Sequence, residues 1–203
     1  LLQQFSAMCR FKMSETTYKI ADKLKKDLVF EGKSDVILAD TPVKLMQKLH
    51  QIYSGTVILE SGNRLVFDNT KSEFIKEHFA GKRIAVFYKF QAELESLLSV
   101  FQEDMTTDLG KFHAGECNNF AIQIVTGREG ISLMQADYLV YYNIDFSATS
   151  YWQSRDRLTT MDRLENNVYW VFAEGGIEEK IYKVVQGKKP YTVSHFKKDL
   201  LSL

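Results

Sequence analysis

Three groups of residues in this chain have types and spacings suited to chemistry on phosphate. Gln153 and Arg157 stand four apart in Tyr151-Trp152-Gln153-Ser154-Arg155-Asp156-Arg157, so on a helix their side chains share one face. An arginine there forms bidentate contacts with a phosphate, and a glutamine donates or accepts a hydrogen bond beside it. Arg163 lies six residues further on. The second group is the turn Val125–Leu133, with Gly127, Gly130 and Ser132. Its glycines admit close approach of a phosphate, and N–H groups at a helix start attract anions. The third group, Lys89, Thr126 and Arg128, follows apolar runs directly and supplies cations and a hydroxyl for a nucleic-acid backbone. Each group also has a plainer reading. The turn equally suits a strand–helix junction without ligand, and Arg155-Asp156-Arg157 equally suits a solvated helix surface.

Those residues need elements to hold them. Four runs rich in β-branched and aromatic residues, Ile84–Phe90, Phe120–Val125, Tyr138–Asn143 and Val168–Ala173, are apolar almost continuously, as strands covered on both faces are. Helical patterns over Gln91–Gln102, Thr149–Leu158 and Ile177–Gln186 follow three of them. This alternation predicts an α/β fold with a mainly parallel sheet and helices on both faces. Ligands approach such a sheet at the carboxyl ends of its strands, where Lys89, the glycine turn, Asn143, Asp145 and Glu174 fall. The stretch Asp104–Asn119 shows little periodicity and reads as a loop.

Upstream, the first third reads as helical and polar, with one helix over residues 14–30 and another opening at Thr41-Pro42, an N-cap followed by proline at the first helical position. Thr56–Glu60 and Arg64–Phe67 flank Ser61-Gly62-Asn63 as a hairpin, and a helix runs from Thr70 to Phe79. The expected organisation is a helical extension with a hairpin over 1–81, packed on an α/β core over 82–190, and a tail over 191–203.

Twenty-six basic residues balance 26 acidic ones in the 203-residue chain, so any polyanion-binding surface must be local. An apolar content of 45% excludes wholesale disorder. Cys9 and Cys117 stand far apart and the four histidines are scattered, which argues against a metal centre or disulfide scaffold. Reduced thiols, no signal peptide and no membrane-length apolar run point to an intracellular, cytoplasmic or nuclear protein without a membrane partner. With Leu rather than Met first, the chain reads as a piece of something longer.

Taken in order, the motifs resemble the second RecA-like domain of superfamily-two helicases, especially Swi/Snf-type DNA translocases. Arg83–Phe90 is similar to motif IV. Thr126–Leu133 with Ala136-Asp137 resembles motif V, and Gln153 and Arg157 fall on the glutamine and first arginine of motif VI. Ile177-Glu178-Glu179-Lys180-Ile181 is similar to the acidic helix start after the last strand. The chain departs from the pattern at Arg128, where a second glycine is usual, at Ser132, where asparagine is usual, and at Thr160, where the second motif VI arginine falls.

The resemblance implies a C-terminal motor domain of an ATP-dependent helicase or translocase. ATP and Mg²⁺ would be held mainly by a partner, the N-terminal RecA-like domain carrying the P-loop. No G-x-x-x-x-G-K-[ST] occurs in this chain, so alone it is expected to be inactive. Arg157 is the implied arginine finger, with Gln153 beside it and Arg163 replacing the arginine missing at Thr160. Gly127, Gly130 and Ser132 are the implied nucleotide contacts. Thr126, Arg128 and Lys89 would meet the nucleic acid, expected to be DNA. Two alternatives stand beside this reading: a catalytically inactive RecA-like interaction scaffold, and an unrelated Rossmann-like nucleotide-binding domain.

Overall fold

The structure, a computed structural model, describes residues 3–126, 131–153 and 165–201. In chain order it runs β1 (Gln3–Phe11), α1 (Glu15–Asp27), β2 (Val29–Glu31), β3 (Val36–Leu38), α2 (Pro42–Ile52), β4 (Thr56–Ile58), β5 (Arg64–Val66) and α3 (Thr70–His78). There follow β6 (Ile84–Tyr88), α4 (Gln91–Phe101), β7 (Met105–Thr106), α5 (Leu109–His113), β8 (Asn119–Gln123) and β9 (Tyr138–Tyr141). Helix α6 is described over residues 148–153. Last come β10 (Glu165–Ala173), α7 (Glu178–Gln186) and α8 (Val193–Leu201).

Six strands form one sheet in the order β1-β10-β9-β6-β8-β7, and every described pairing in it is parallel. All five side chains of β6 are buried. Successive strand residues point to opposite faces, so both faces of the sheet are covered. Neighbours Tyr169 and Trp170 of β10 show what covers them. The Tyr169 ring meets Phe79, just past α3, at 5.1 Å, whereas Trp170 meets Tyr151 of α6 at 5.4 Å and Tyr182 of α7 at 5.5 Å. This is the mainly parallel α/β sheet that the four apolar runs predict.

Several details differ from the sequence reading. The helix expected to reach residue 30 ends at Asp27, where Leu28 turns left-handed at φ 61° and its N–H closes on Leu24. Val29 then opens a short antiparallel hairpin with β3; three-residue strands are too brief for period-two patterning to show. Residues 3–11 lie in the stretch that reads as helical and polar, yet they form β1 and pair along their length with β10 at the edge of the sheet. Asp104–Asn119 holds β7 and α5. Asp108 caps α5 by accepting from the N–H groups of Gly110 and Lys111, a signal carried by one side chain rather than by periodicity.

Capping also ties the front of the chain to the sheet. Thr41 accepts from Lys44 N at 3.2 Å and Pro42 opens α2, as the sequence predicts. The hairpin β4–β5 forms antiparallel, and the chain then reaches Asp68. One oxygen of this carboxylate accepts from Thr70 N at 2.9 Å and the Thr70 hydroxyl; the other accepts from Ser14 N at 3.0 Å and the hydroxyls of Ser14 and Thr17. Burial pushes the Asp68 carboxyl up, but those donors together outweigh it and hold it below the usual range. Asp68 therefore joins the first turn of α1 to the first turn of α3. Among the described residues no helix is long and apolar enough to cross a membrane.

Gly55 makes the turn between α2 and β4 possible. It sits at φ +82°, and a Cβ there would lie 2.0 Å from the carbonyl oxygen of Asp68. Its own carbonyl accepts from Phe67 N and Asp68 N, so that neighbour is held in place. Gly55→Ala is expected to lower the unfolding free energy by about 2 kcal/mol or more, from left-handed strain plus the clash. Urea denaturation of both proteins checks this.

Candidate functional site

Because all six strands run the same way, their carboxyl ends share one edge. The β6–β8 ladder extends past the strands through Ile124 N donating to Tyr88 O at 2.8 Å and Gln123 Nε2 donating to Lys89 O at 3.0 Å. On the other side of β6, Tyr142 N donates to Phe87 O at 2.9 Å. Beyond that bond side chains take over, so the exits of β6, β8 and β9 converge.

Lys89 lies at this edge, half-buried. Its Nζ pairs with Asp145 Oδ1 at 3.0 Å and sits 5.6 Å and 5.4 Å from the ring centroids of Phe90 and Phe146. Burial pushes the Asp145 carboxyl up, and the charge and hydrogen bond of Lys89 together with the Ser147 N–H outweigh this, leaving it below the ordinary carboxylate range. The sequence marks Lys89 as a cation for nucleic acid; the structure gives that cation an internal partner.

Beneath the pair lies a layer of buried polar groups. The Asn143 side chain is fully buried. Its Oδ1 accepts from His50 Nε2 at 2.6 Å and from Ile144 N at 2.8 Å, and its Nδ2 donates to Glu93 Oε1. The other oxygen of Glu93 accepts from Lys89 N at 2.8 Å and Phe90 N at 3.1 Å, so Glu93 serves as the N3 half of a capping box on α4. Burial raises the Glu93 carboxyl, opposed by Asn143, by Lys71 and by the two backbone donors. One residue earlier, Tyr142 O accepts from Lys71 Nζ at 2.8 Å, and that fully buried ammonium pairs with Glu178 Oε1 at 3.0 Å.

Four of the nine candidate site residues fall among the described ones. Thr126 is exposed just past the exit of β8, Gln153 is exposed on α6, and Lys89 is paired as above. Ser132 is exposed, and its carbonyl accepts from His113 Nε2 of α5 at 2.9 Å. Among the described residues no hydrogen bond joins Ser132 to Lys89, Thr126 or Gln153. Gly127, Arg128, Gly130, Arg157 and Arg163 lie outside the described residues, as does Thr160. Asp137 of the motif V resemblance is at the opposite edge, where its Oδ2 accepts from Arg83 N at 2.8 Å before β6 begins. His50, Lys71, Glu93 and Glu178 were not singled out for this edge. Signals existed for two of them: Glu93 is the third residue of a helix leaving a strand, and His50 follows Met46 by one turn on the apolar face of α2.

The lysine at the edge is committed to Asp145, and no group of three or more His, Cys, Asp or Glu among the described residues could hold a metal ion.

A parallel sheet with helices on both faces and polar residues gathered at its carboxyl edge is consistent with a RecA-like domain. The helicase conserved C-terminal domain family matches residues 44–159, more than half of the chain, and the chain belongs to that family. It is thus a motor-type domain of the superfamily-two helicases, a class linked to ATP and Mg²⁺. A crystal structure of the C-terminal part of the Fun30 ATPase domain superposes with a TM-score of 0.68 at 15% identity, covering 97% of this chain and 92% of that one. A chain of a crystal structure of fission yeast Ccq1 and Tpz1 gives a TM-score of 0.61 at 15% identity, covering 95% of this chain and 78% of that one. These likenesses show the fold. A search of curated proteins finds no match.

His50 makes the buried layer sensitive to acid. Burial, reinforced by the nearby charge of Lys89, lowers its pKa to about 3, against about 6.5 in an unfolded chain. Between those values the unfolded chain takes up a proton that the folded chain refuses. Stability from this group is therefore complete above about pH 6.5 and falls with pH below it, by up to about 1.4 kcal/mol per unit. Urea titrations at pH 6.5 and 5.0 should show a steeper loss for the native sequence than for His50→Gln. Equal slopes would mean that His50 is not buried neutral.

Proposed function

We propose that the chain is the second motor lobe of an ATP-driven translocase acting on nucleic acid, most simply DNA, and that it closes on a first lobe carrying the P-loop. The observation that carries this reading is membership of the helicase C-terminal family together with the converging strand exits. ATP is then the substrate of the assembled pair. In this reading residues 82–190 are the lobe proper, 1–81 an extension packed on it and 191–203 a tail.

Each side chain has a role in that assembly. Arg157 reaches the phosphoryl group being transferred, where charge develops and an arginine is most effective. Gln153, one turn earlier and exposed, flanks it. Arg163 substitutes for the arginine absent at Thr160; the low helix propensity of Thr159-Thr160 supports that role. Gly127, Gly130 and Ser132 approach the nucleotide. Thr126, Arg128 and the Lys89 edge meet the nucleic-acid backbone, contacts that read no sequence and suit a motor stepping along any strand.

Two observations favour a second reading. Lys89 spends its charge on Asp145, and position 160 carries threonine. A RecA-like lobe that has given up its phosphate chemistry and serves as a scaffold would look the same at those two positions.

Activity separates the two. In the full-length enzyme Arg157→Ala should lower kcat by about 10³-fold while ATP affinity changes much less. Arg163→Ala should also reduce nucleic-acid-stimulated turnover. If Arg163→Ala is silent while Arg157→Ala abolishes turnover, a single finger suffices; if neither matters, the scaffold reading replaces the motor. The isolated 203-residue chain should show no ATPase activity, since it lacks the P-loop that supplies most phosphate binding. Turnover by purified chain would overturn the assignment.

A further inference from the structure

The β6–β9 ladder pairs Ile84 with Tyr138 through Phe87 with Tyr141. After the Tyr142 N to Phe87 O bond the two chains part, β6 toward α4 and β9 toward α6. Two buried side chains then bridge the gap. Glu93 collects the N–H groups of Lys89 and Phe90, and Asn143 collects that of Ile144, while Asn143 Nδ2 donates to Glu93. The bracket thus runs from backbone to side chain to side chain to backbone, and His50 Nε2 closes it from α2. Both residues are 0% exposed, and no polar atom of either is left without a partner. A carboxylate at 93 is specified by the donors: three N–H groups face it, and it offers only acceptors.

We propose that Asn143 and Glu93 are positioning residues of the motor reaction, fixing the exit of β9 against that of β6 so that the Lys89–Asp145 pair and α6 with Gln153 act as one rigid ledge. This rests on the motor reading above. The bracket touches neither nucleotide nor nucleic acid. Its effect is on where the ledge stands when the lobes close, and small misplacements of catalytic groups are costly in rate. Asn143 and Glu93 are fully satisfied, His50 Nδ1 being the one unpartnered atom of the three side chains, and satisfied buried networks are rigid in the way such a part requires.

Asn143→Asp tests this with little change of shape. It replaces the amide that donates to Glu93 by an oxygen, so two carboxyls face each other and hold together only when they share a proton. The charged and titratable groups around them are Lys71 of α3 with its partner Glu178 of α7, the neutral His50 of α2, and the Lys89–Asp145 pair. The Tyr142 hydroxyl, which donates to Ser54 O, is the remaining titratable neighbour. The variant leaves these side chains in place, and a carboxylate at 143 also favours the protonated form of His50, which acts in the same direction as pH falls.

The measurement is ATP turnover by the full-length enzyme with a random-sequence DNA duplex at pH 6 and pH 8, with thermal midpoints in the same buffers. Asn143→Asp should lower kcat at pH 8 about tenfold or more, leave KM for ATP within about twofold, and recover to near the native value at pH 6. Glu93→Gln, which puts an amide where donors converge, should lose kcat at both pH values without recovery. Unchanged kcat for Asn143→Asp at pH 8, or a rise in KM alone, would overturn the proposal. So would unfolding of both variants at both pH values, because the bracket would then serve the fold only. Arg157→Ala run in parallel separates the two levels. If native turnover is absent or survives that change, the motor reading fails; if Arg157→Ala is inactive and Asn143→Asp is native-like, only the positioning role fails.

Discussion

Four consecutive residues at the exit of β9 hold the working edge of this domain together. Tyr142 gives its carbonyl to Lys71, Asn143 bridges His50 and Glu93, Ile144 gives its N–H to Asn143, and Asp145 takes the ammonium of Lys89. Apart from the Ile144–Asn143 bond within the stretch, the ties reach α2, α3, α4 and the residue after β6, so all four are referred to one short stretch of chain. Parallel pairing brings the strands side by side but says nothing about where the chains go once the ladder stops. The buried side chains answer that, and the described part of α6 and Lys89 are placed relative to them.

Such a layer is expensive to bury and would cost more if incomplete. Here it is nearly complete. The orphaned atoms among the described residues are His50 Nδ1, Arg83 Nε and Glu178 Oε2, and two of these belong to groups otherwise engaged at this edge. The Lys71–Glu178 pair carries the layer across to α7, just after the turn Gly175-Gly176. A Cβ at Gly176 would lie 2.2 Å from Glu178 Oε2, so the glycine there is a requirement of the ion pair rather than of the backbone alone.

Much of the fold was legible because its signals are averages over many residues. Ile84–Phe90 and Tyr138–Asn143 are so uniformly apolar that coverage on both faces follows, and parallel pairing follows from the helices between strands. Thr41-Pro42 and the Ser61-Gly62-Asn63 hairpin were legible because turn and cap chemistry is local. The edge strand Gln3–Phe11, the Val29–Leu38 hairpin and the short α5 were not. Their stability comes from pairing with β10, from each other, and from the single cap Asp108, none of which leaves a period. At the site, the sequence marks positions at strand ends but not partners. That Lys89 is neutralised by Asp145, 56 residues away, and that His50 is a buried donor to Asn143, 93 residues away, are long-range facts. Glu93 was nearest to being readable, as the N3 residue of a helix whose preceding N–H groups need an acceptor.

Amide hydrogen exchange on this chain, resolved residue by residue, tests the role of the buried layer most directly. If side chains rather than the ladder hold the strand exits, the amides of Lys89, Phe90 and Ile144 exchange as slowly as that of Tyr142 in the ladder. Exchange of those three at the rate of an exposed loop, with Tyr142 still protected, would contradict it.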